Sequence, residues 1–271
     1  NFVIIGESIN PTRRKKLIES FQQRSFDYVF ELAQSQIDSG ADVLDVNVGY
    51  PGVDDVSLLP EVVKAIMERF DVPLCLDSPN PKALEAALKV APPRSLVNSV
   101  NGEEKSLESI LPIVKEYNAA VIGLVMDDDG ISTEVGKRVA IAGKIIDRAD
   151  KLGIPVSDVI IDPLVMAVSA DSRAALVTLQ TIEEVRKQFG VSITMGASNV
   201  SFGLPERQAL NDAFMAIAMS KGANSAITNP VHLAYLIRAA DVLLGHDEFA
   251  ARYIRHHRKQ QKLMQAQNKE V

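Results

Sequence analysis

Short apolar runs of four to eight residues recur along this chain, each bounded by turn formers. Val159-Ile160-Ile161-Asp162-Pro163 is the plainest: an apolar run, a carboxylate, then a proline. Val43-Leu44-Asp45-Val46-Asn47, Leu74-Cys75-Leu76-Asp77-Ser78 and Leu96-Val97-Asn98-Ser99 repeat the pattern. Such runs read as strands buried on both faces. Between them apolar residues recur at helical spacing, as in Phe26, Val29, Phe30, Ala33 and Ile37, where Gly40 supplies the C-terminal glycine. Strands are predicted at 2–6, 42–48, 73–77, 95–99, 120–126, 158–162, 192–197 and 224–228, and a helix follows each. Asn80-Pro81 starts one of these helices as cap and first residue. Arg13 to Lys16 are predicted as a basic loop, and the last of the eight helices ends near Leu244.

Strict strand–helix alternation implies parallel pairing with right-handed crossovers. Eight units in roughly 245 residues match the count and size of an α/β fold of one type, the single (β/α)8 TIM barrel. A doubly wound sheet would want a G-x-G-x-x-G turn after the first strand, and none is there. The expected organisation is a barrel over 1–245 and a basic C-terminal helix or tail over 246–271.

Composition narrows the partners. Net charge is -6, so nucleic acid is not the expected partner. Residues 246–271 carry six Lys/Arg against three Asp/Glu, which is +3 and leaves -9 for the remainder. A solvated terminal helix is the expected state of that tail. No apolar stretch approaches the roughly 20 residues that span a bilayer, and no signal-peptide pattern opens the sequence. The absent initial Met reads as a trimmed start. Cys75 is the one cysteine and lies within a predicted strand, so it is expected to be a small buried apolar residue. With four histidines, no thiolate zinc site and no resident metal are expected, and the context is that of a cytoplasmic protein. His232, in the turn after the last strand, reads as a capping surface residue.

Barrel chemistry gathers at the C-terminal ends of strands. Those ends hold Glu7 and Asn10, Asp45 and Asn47, Asp77 and Ser78, Asn98 and Ser99, Asp127, Asp162, Ser198 and Asn199, and Asn229. Asp and Asn also favour caps and turns, so any one of them has an ordinary explanation. As a set that ends buried strands they ask for donors, because a buried carboxylate is costly unless hydrogen-bonded. No Lys or Arg directly follows the strands of Asp77 or Asp162. Three carboxylates could hold a hard cation. The interleaved asparagines point instead to a flat heterocycle, since Asp accepts from an amino–imino edge and Asn both donates and accepts. No lysine stands at a strand end for Schiff-base chemistry, and the last two strand-end loops lack the glycines of a phosphate site.

Ile5-Gly6-Glu7-Ser8-Ile9-Asn10, Leu44-Asp45-Val46-Asn47-Val48-Gly49, Cys75-Leu76-Asp77-Ser78, Val97-Asn98-Ser99, Ile161-Asp162-Pro163 and Ser198-Asn199-Val200-Ser201 resemble the pterin-binding methyltransferase family. It includes methyltetrahydrofolate:corrinoid protein methyltransferases and the folate module of cobalamin-dependent methionine synthase. The resemblance implies transfer of a methyl group between N5 of tetrahydrofolate and the cobalt of a corrinoid carried by a partner protein, in a homodimer without a protein-bound metal. It implies that Asp77, Asn98 and Asp162 hold the pterin's pyrimidine edge and that Asn199 hydrogen-bonds near N5 as the catalytic residue. Gly196 and Ser198 would shape the adjoining wall, Arg207 would lie near the aminobenzoate side, and Asp45, Asn47 and Glu7 would line the same cavity. Pro11–Lys16 is more basic than the family pattern, and Asp127–Asp129 more acidic. A dihydropteroate synthase and a non-catalytic pterin-binding module are the alternatives.

Overall fold

The apolar runs form eight parallel strands in a computed structural model that describes residues 1–267; Lys269 and the rest of 268–271 lie outside the described residues. The strands are β1 (Val3–Ile9), β2 (Val43–Asn47), β3 (Leu74–Asp77), β4 (Leu96–Asn101), β5 (Ala120–Leu124), β6 (Val159–Asp162), β7 (Ser192–Ile193) and β8 (Ser225–Thr228). They hydrogen-bond in the order β7-β6-β5-β4-β3-β2-β1-β8, and a bridge between Gly196 and Ile227 brings β7 and β8 together. The result is a (β/α)8 TIM barrel. Ten α-helices accompany the strands among the described residues: α1 (Lys15–Gln22), α2 (Asp27–Ser39), α3 (Asp55–Met67), α4 (Pro81–Leu88), α5 (Glu104–Glu116), α6 (Val135–Lys151), α7 (Ala174–Phe189), α8 (Arg207–Ser220), α9 (Pro230–Leu243) and α10 (Ala251–Gln267). None is long and apolar enough to cross a membrane.

Two apolar layers follow from the two-residue period of a strand. One side of the strands packs on the helices, through Ile4, Leu44, Leu76, Val97, Val121 and Ile161. The other faces the barrel axis, where Ile5, Cys75, Leu96 and Ile122 form a separate inner cluster with Ile160 and Ile227 packed against it. Cys75 is buried and free, as a small core residue. Two residues further on, β1, β2, β3, β4 and β6 carry Glu7, Asp45, Asp77, Asn98 and Asp162, whereas β5 carries Leu124, so the inner core ends in a largely polar layer at the C-terminal mouth.

Four elements depart from the sequence reading. Residues 15–22 form α1 rather than a loop, because Leu17 and Phe21, four residues apart, bury on one helical face. β7 spans only two residues; beyond Met195 the chain turns into a 3-10 segment, Ala197–Ser201, which buries Ala197 and Val200 three residues apart. β5 stops at Leu124, short of Met126. β1 continues past Gly6 to Ile9, with a register shift against β2.

At the opposite end Arg238 and Arg252 both reach Asp42, while Asp241 accepts from the backbone N–H of Phe2 at 2.9 Å. Within α10, Lys259 donates to the carbonyl of Ile37 at 2.8 Å and His256 packs edge-on against Tyr235 at 4.6 Å. Part of the tail's positive charge is therefore spent inside the chain.

Candidate functional site

Glu7 lies two residues beyond inner Ile5, Asp77 two beyond Cys75, Asn98 two beyond Leu96 and Asp162 two beyond Ile160. The same alternation turns Asp45 and Asn47 inward on β2, with Asp45 in register with Cys75 and Asn47 with Asp77. These side chains bond to one another across strands. The Asn47 amide donates to Asp77 at 2.8 Å, and the Asn98 amide donates to Asp45 at 3.2 Å. Asp162 accepts from the backbone N–H of Leu164 at 2.8 Å. A non-proline cis peptide joins Asn98 to Ser99, where the β4–β5 ladder shifts register.

Burial dominates the electrostatics. It pushes Asp45 up to about 8, with the Asp77 charge adding and the Cys75 and Asn98 contacts opposing. It lifts Asp77 against the Asn47 amide, and Asp162 to about 7 against the Leu164 amide and the Arg138 charge. Glu7 is also raised by burial, opposed by Arg14 and Arg207. Asp45 and Asp162 are therefore poised near neutrality, and all four carboxyls at the mouth are raised by burial. Among the described residues no three His, Cys, Asp or Glu side chains are arranged to hold a metal ion.

The β7 side is built differently. Asn199 sits on the 3-10 turn, exposed, and its side-chain amide has no hydrogen-bond partner among the described residues. A Cβ at Gly196 would come within 3.2 Å of that amide, so glycine there leaves Asn199 room. Arg207, at the start of α8, ties the turn down by donating to the Ser198 carbonyl at 2.8 Å and to the Ser201 hydroxyl at 3.0 Å. A cavity of about 310 Å³ opens beside it, lined by Glu7, Ser198, Arg207, Thr228, Asn211 and His232.

Asp45, Asn47, Asp77, Asn98, Asp162 and Glu7 thus converge on the mouth, and Gly196, Ser198, Asn199 and Arg207 stand along one edge of it. Other strand-end polar residues do local work. Asn10 accepts from Thr12, Ser78 donates to Asp55 at 3.1 Å, Asp127 accepts from Asp129, and Asn229 caps α9 at Val231.

Two positioning residues were not anticipated from the sequence. Gln36, on α2, accepts from the Ser8 N–H at 2.8 Å inside the irregular part of β1, and Gly6 makes room for it: a Cβ there would stand 2.4 Å from the Gln36 carbonyl oxygen. Arg138, on α6, is buried and donates to the carbonyls of Ser132, Pro163 and Leu164 at 2.6, 2.7 and 2.9 Å, fixing the loop behind Asp162. The available signal was a charged residue on the apolar stripe Val135, Val139, Ala142 and Ile146.

The pterin binding enzyme family matches residues 6–229. The methylcorrinoid:tetrahydrofolate methyltransferase of Eubacterium limosum is 31% identical over 259 residues, covering 93% of this chain and 94% of that protein. The methionine synthase of Mycobacterium tuberculosis is 30% identical over 240 residues; the match takes in 84% of this chain but only 20% of the longer protein. Among solved structures, a Yersinia pestis dihydropteroate synthase with a pterine-sulfa conjugate superposes with a TM-score of 0.70 at 17% identity, covering 90% of this chain and 94% of that one. A Coxiella burnetii dihydropteroate synthase with pteroic acid gives 0.67 at 20%, covering 89% and 92%. At those identities the structural likeness speaks for the fold alone. The family match across most of the barrel, and the relative aligned over nearly the full length of both chains, establish that this chain belongs to the pterin binding enzyme family.

Proposed function

We propose that the protein is a methyltransferase that moves a methyl group between N5 of tetrahydrofolate and the cobalt of a corrinoid carried on a partner protein. The observation that carries this reading is the contrast at the mouth: cross-bonded, buried or half-buried Asp and Asn side chains on one side, and on the other an exposed asparagine amide with no partner among the described residues. Asp77, Asn98 and Asp162 hold the amino–imino edge of the pterin, with Asp45, Asn47 and Glu7 completing the wall. Gly196 and Ser198 form the surface beside N5, and Arg207 holds the turn that carries Asn199. A homodimer belongs to the same reading.

A methyl group on neutral N5 leaves poorly, because the electron pair of the breaking C–N bond stays on nitrogen. The Asn199 amide donates to N5 as that charge develops, while the nucleophilic Co(I) forms the new Co–C bond. Interaction gained mainly in the transition state raises the rate rather than the affinity. By microscopic reversibility the same residues serve transfer toward tetrahydrofolate, the direction in which the Eubacterium limosum relative is named. The corrinoid is delivered as substrate over the open mouth, and the chain's task is to bind, align and activate the pterin.

Incubation with methyltetrahydrofolate and cob(I)alamin, followed by the absorbance of methylcobalamin, tests this. Methyl transfer in at least one direction is expected. Absence of turnover in both directions, with pterin binding intact, would leave a non-catalytic pterin-binding module. Pteroate formation from a dihydropterin diphosphate and aminobenzoate would mark a dihydropteroate synthase.

A further inference from the structure

The basic turn after β1 has no place in the chemistry above, yet it stands at the same mouth. Arg13 lies with its guanidinium 5.6 Å from the ring centre of Phe202, and Arg207 reaches the same ring at 6.0 Å. Phe202 is half exposed, on the 3-10 turn's own C-cap, with its N–H donating to the carbonyl of Asn199 at 3.1 Å. The turn that carries the arginines is fixed: the Arg14 N–H donates to the Pro11 carbonyl at 2.9 Å and Arg13 is left-handed at φ 61°. Arg14 lies near enough to Glu7 to oppose the burial that raises its pKa. Neither Arg13 nor Arg14 forms an ion pair among the described residues, whereas Lys16, two residues on, is occupied by Glu31 at 3.2 Å and by the ring of Tyr28. Two guanidiniums without an ion pair among the described residues and an exposed aromatic ring thus border the β7 edge of the mouth, where Glu7 is the neighbouring acid.

This inference rests on the reading above. A pterin whose pyrimidine edge is held from β3, β4 and β6, and whose N5 meets Asn199, has its C6 substituent on the ring atom next to N5. That substituent leaves the mouth past Phe202. We propose that Phe202, Arg13 and Arg14 form a subsite for the tail of folate. Its aminobenzoyl ring packs on Phe202 and its γ-glutamyl carboxylates pair with the two arginines, so that the chain prefers polyglutamylated folates. Aromatic pairs and charge-assisted bonds supply the recognition.

Isothermal titration with three probes separates the parts: 6-methyltetrahydropterin, which has no tail, tetrahydrofolate monoglutamate, and tetrahydrofolate tri-γ-glutamate. The triglutamate is expected to bind about five- to tenfold more tightly than the monoglutamate at low salt, and the gain should shrink as salt is raised. In Arg13→Asn/Arg14→Ala the gain should fall to within about twofold. Asparagine tolerates the left-handed backbone at 13, so the turn is kept. Arg13→Lys/Arg14→Lys should retain most of it. Phe202→Leu should weaken the monoglutamate while leaving the triglutamate-to-monoglutamate ratio in place. Equal binding of mono- and triglutamate by the unaltered protein, or a gain that survives Arg13→Asn/Arg14→Ala, would overturn the subsite while leaving the pterin reading intact. Failure of the tailless tetrahydropterin to bind would instead strike the proposed function, and the subsite with it.

Discussion

The two sides of the barrel mouth are built to different rules. From β2 to β6 the polar residues are strand residues. Their backbones are locked in the ladder, Asp45 and Asp162 are buried and Asn47, Asp77 and Asn98 half-buried, and Asn47, Asp77, Asp45 and Asn98 are already bonded across strands. On the β7 side the strand gives out after two residues, and Asn199 rides on a short turn, exposed and with its side-chain amide unpartnered among the described residues. A residue that must hold a ligand in one orientation gains from the first arrangement. A residue whose hydrogen bond matters most as a bond breaks gains from the second, because its strongest interaction is left for the transition state.

The sharpest way to break that comparison is Asn199→Ala. The methyl-transfer rate is expected to fall by about 10²–10³, by analogy with loss of an oxyanion-hole donor. The dissociation constant for tetrahydrofolate should move far less. Stopped-flow transfer to cob(I)alamin beside equilibrium titration decides it. A parallel loss of affinity and rate would make Asn199 one more holder and erase the contrast.

The fixed side can also be attacked from behind. Arg138→Met keeps the length of the side chain but leaves the carbonyls of Ser132, Pro163 and Leu164 without their donor. Urea unfolding should show a loss of about 3 kcal/mol. Folate affinity should suffer too, since the loop behind Asp162 loses its anchor. A variant as stable as the parent would show that the loop holds itself.

Asp162→Asn makes the converse of the first substitution. It removes a charged acceptor while keeping the shape, so pterin affinity is expected to fall about 10- to 100-fold, the range of a hydrogen bond to a charged group. Transfer at saturating folate should be much less affected. A rate loss as large as the affinity loss would contradict the assignment of Asp162 as a holder.

The same contrast explains what could be read in advance. Apolar runs capped by Asp or Asn specify strands and their ends, because a strand buried on both faces is apolar throughout and its first polar residue marks where that burial stops. That made the barrel and Asp45, Asp77, Asn98 and Asp162 legible. The pattern could not tell an inward carboxylate from a turn former: Asn10, Ser78 and Asn229 look alike in sequence and bond locally, to Thr12, Asp55 and the start of α9. It also missed α1, whose polar residues masked the Leu17–Phe21 face, and the early end of β7, since Ile193-Thr194-Met195 is as strand-like as any other run. Gln36 and Arg138 escaped because they act on strand ends from helices distant in sequence, which no local pattern encodes.

The smallest effect reads the fixed side through its protons. Burial raises Asp162 from an ordinary 3.8 to about 7, so the ligand-free protein carries it protonated below neutrality. The N–H groups of a pterin edge favour the carboxylate, so binding below pH 7 must expel a proton. Affinity should therefore rise about tenfold per unit up to pH 7 and level off above it. The stability of the ligand-free protein should move the other way. A carboxyl whose folded pKa is raised contributes stability that is complete below its ordinary value and is lost as pH climbs through the folded one. Asp45, raised to about 8, acts in the same direction. Between pH 5.5 and 8 the thermal midpoint without ligand should fall while the affinity climbs, and Asp162→Asn should flatten most of the affinity slope but only part of the stability slope. Titration in two buffers of different ionisation enthalpy counts the expelled proton directly. An affinity independent of pH across that range would mean that the pterin meets Asp162 already ionised, and that the closely bonded side of the mouth is less short of donors than its geometry implies.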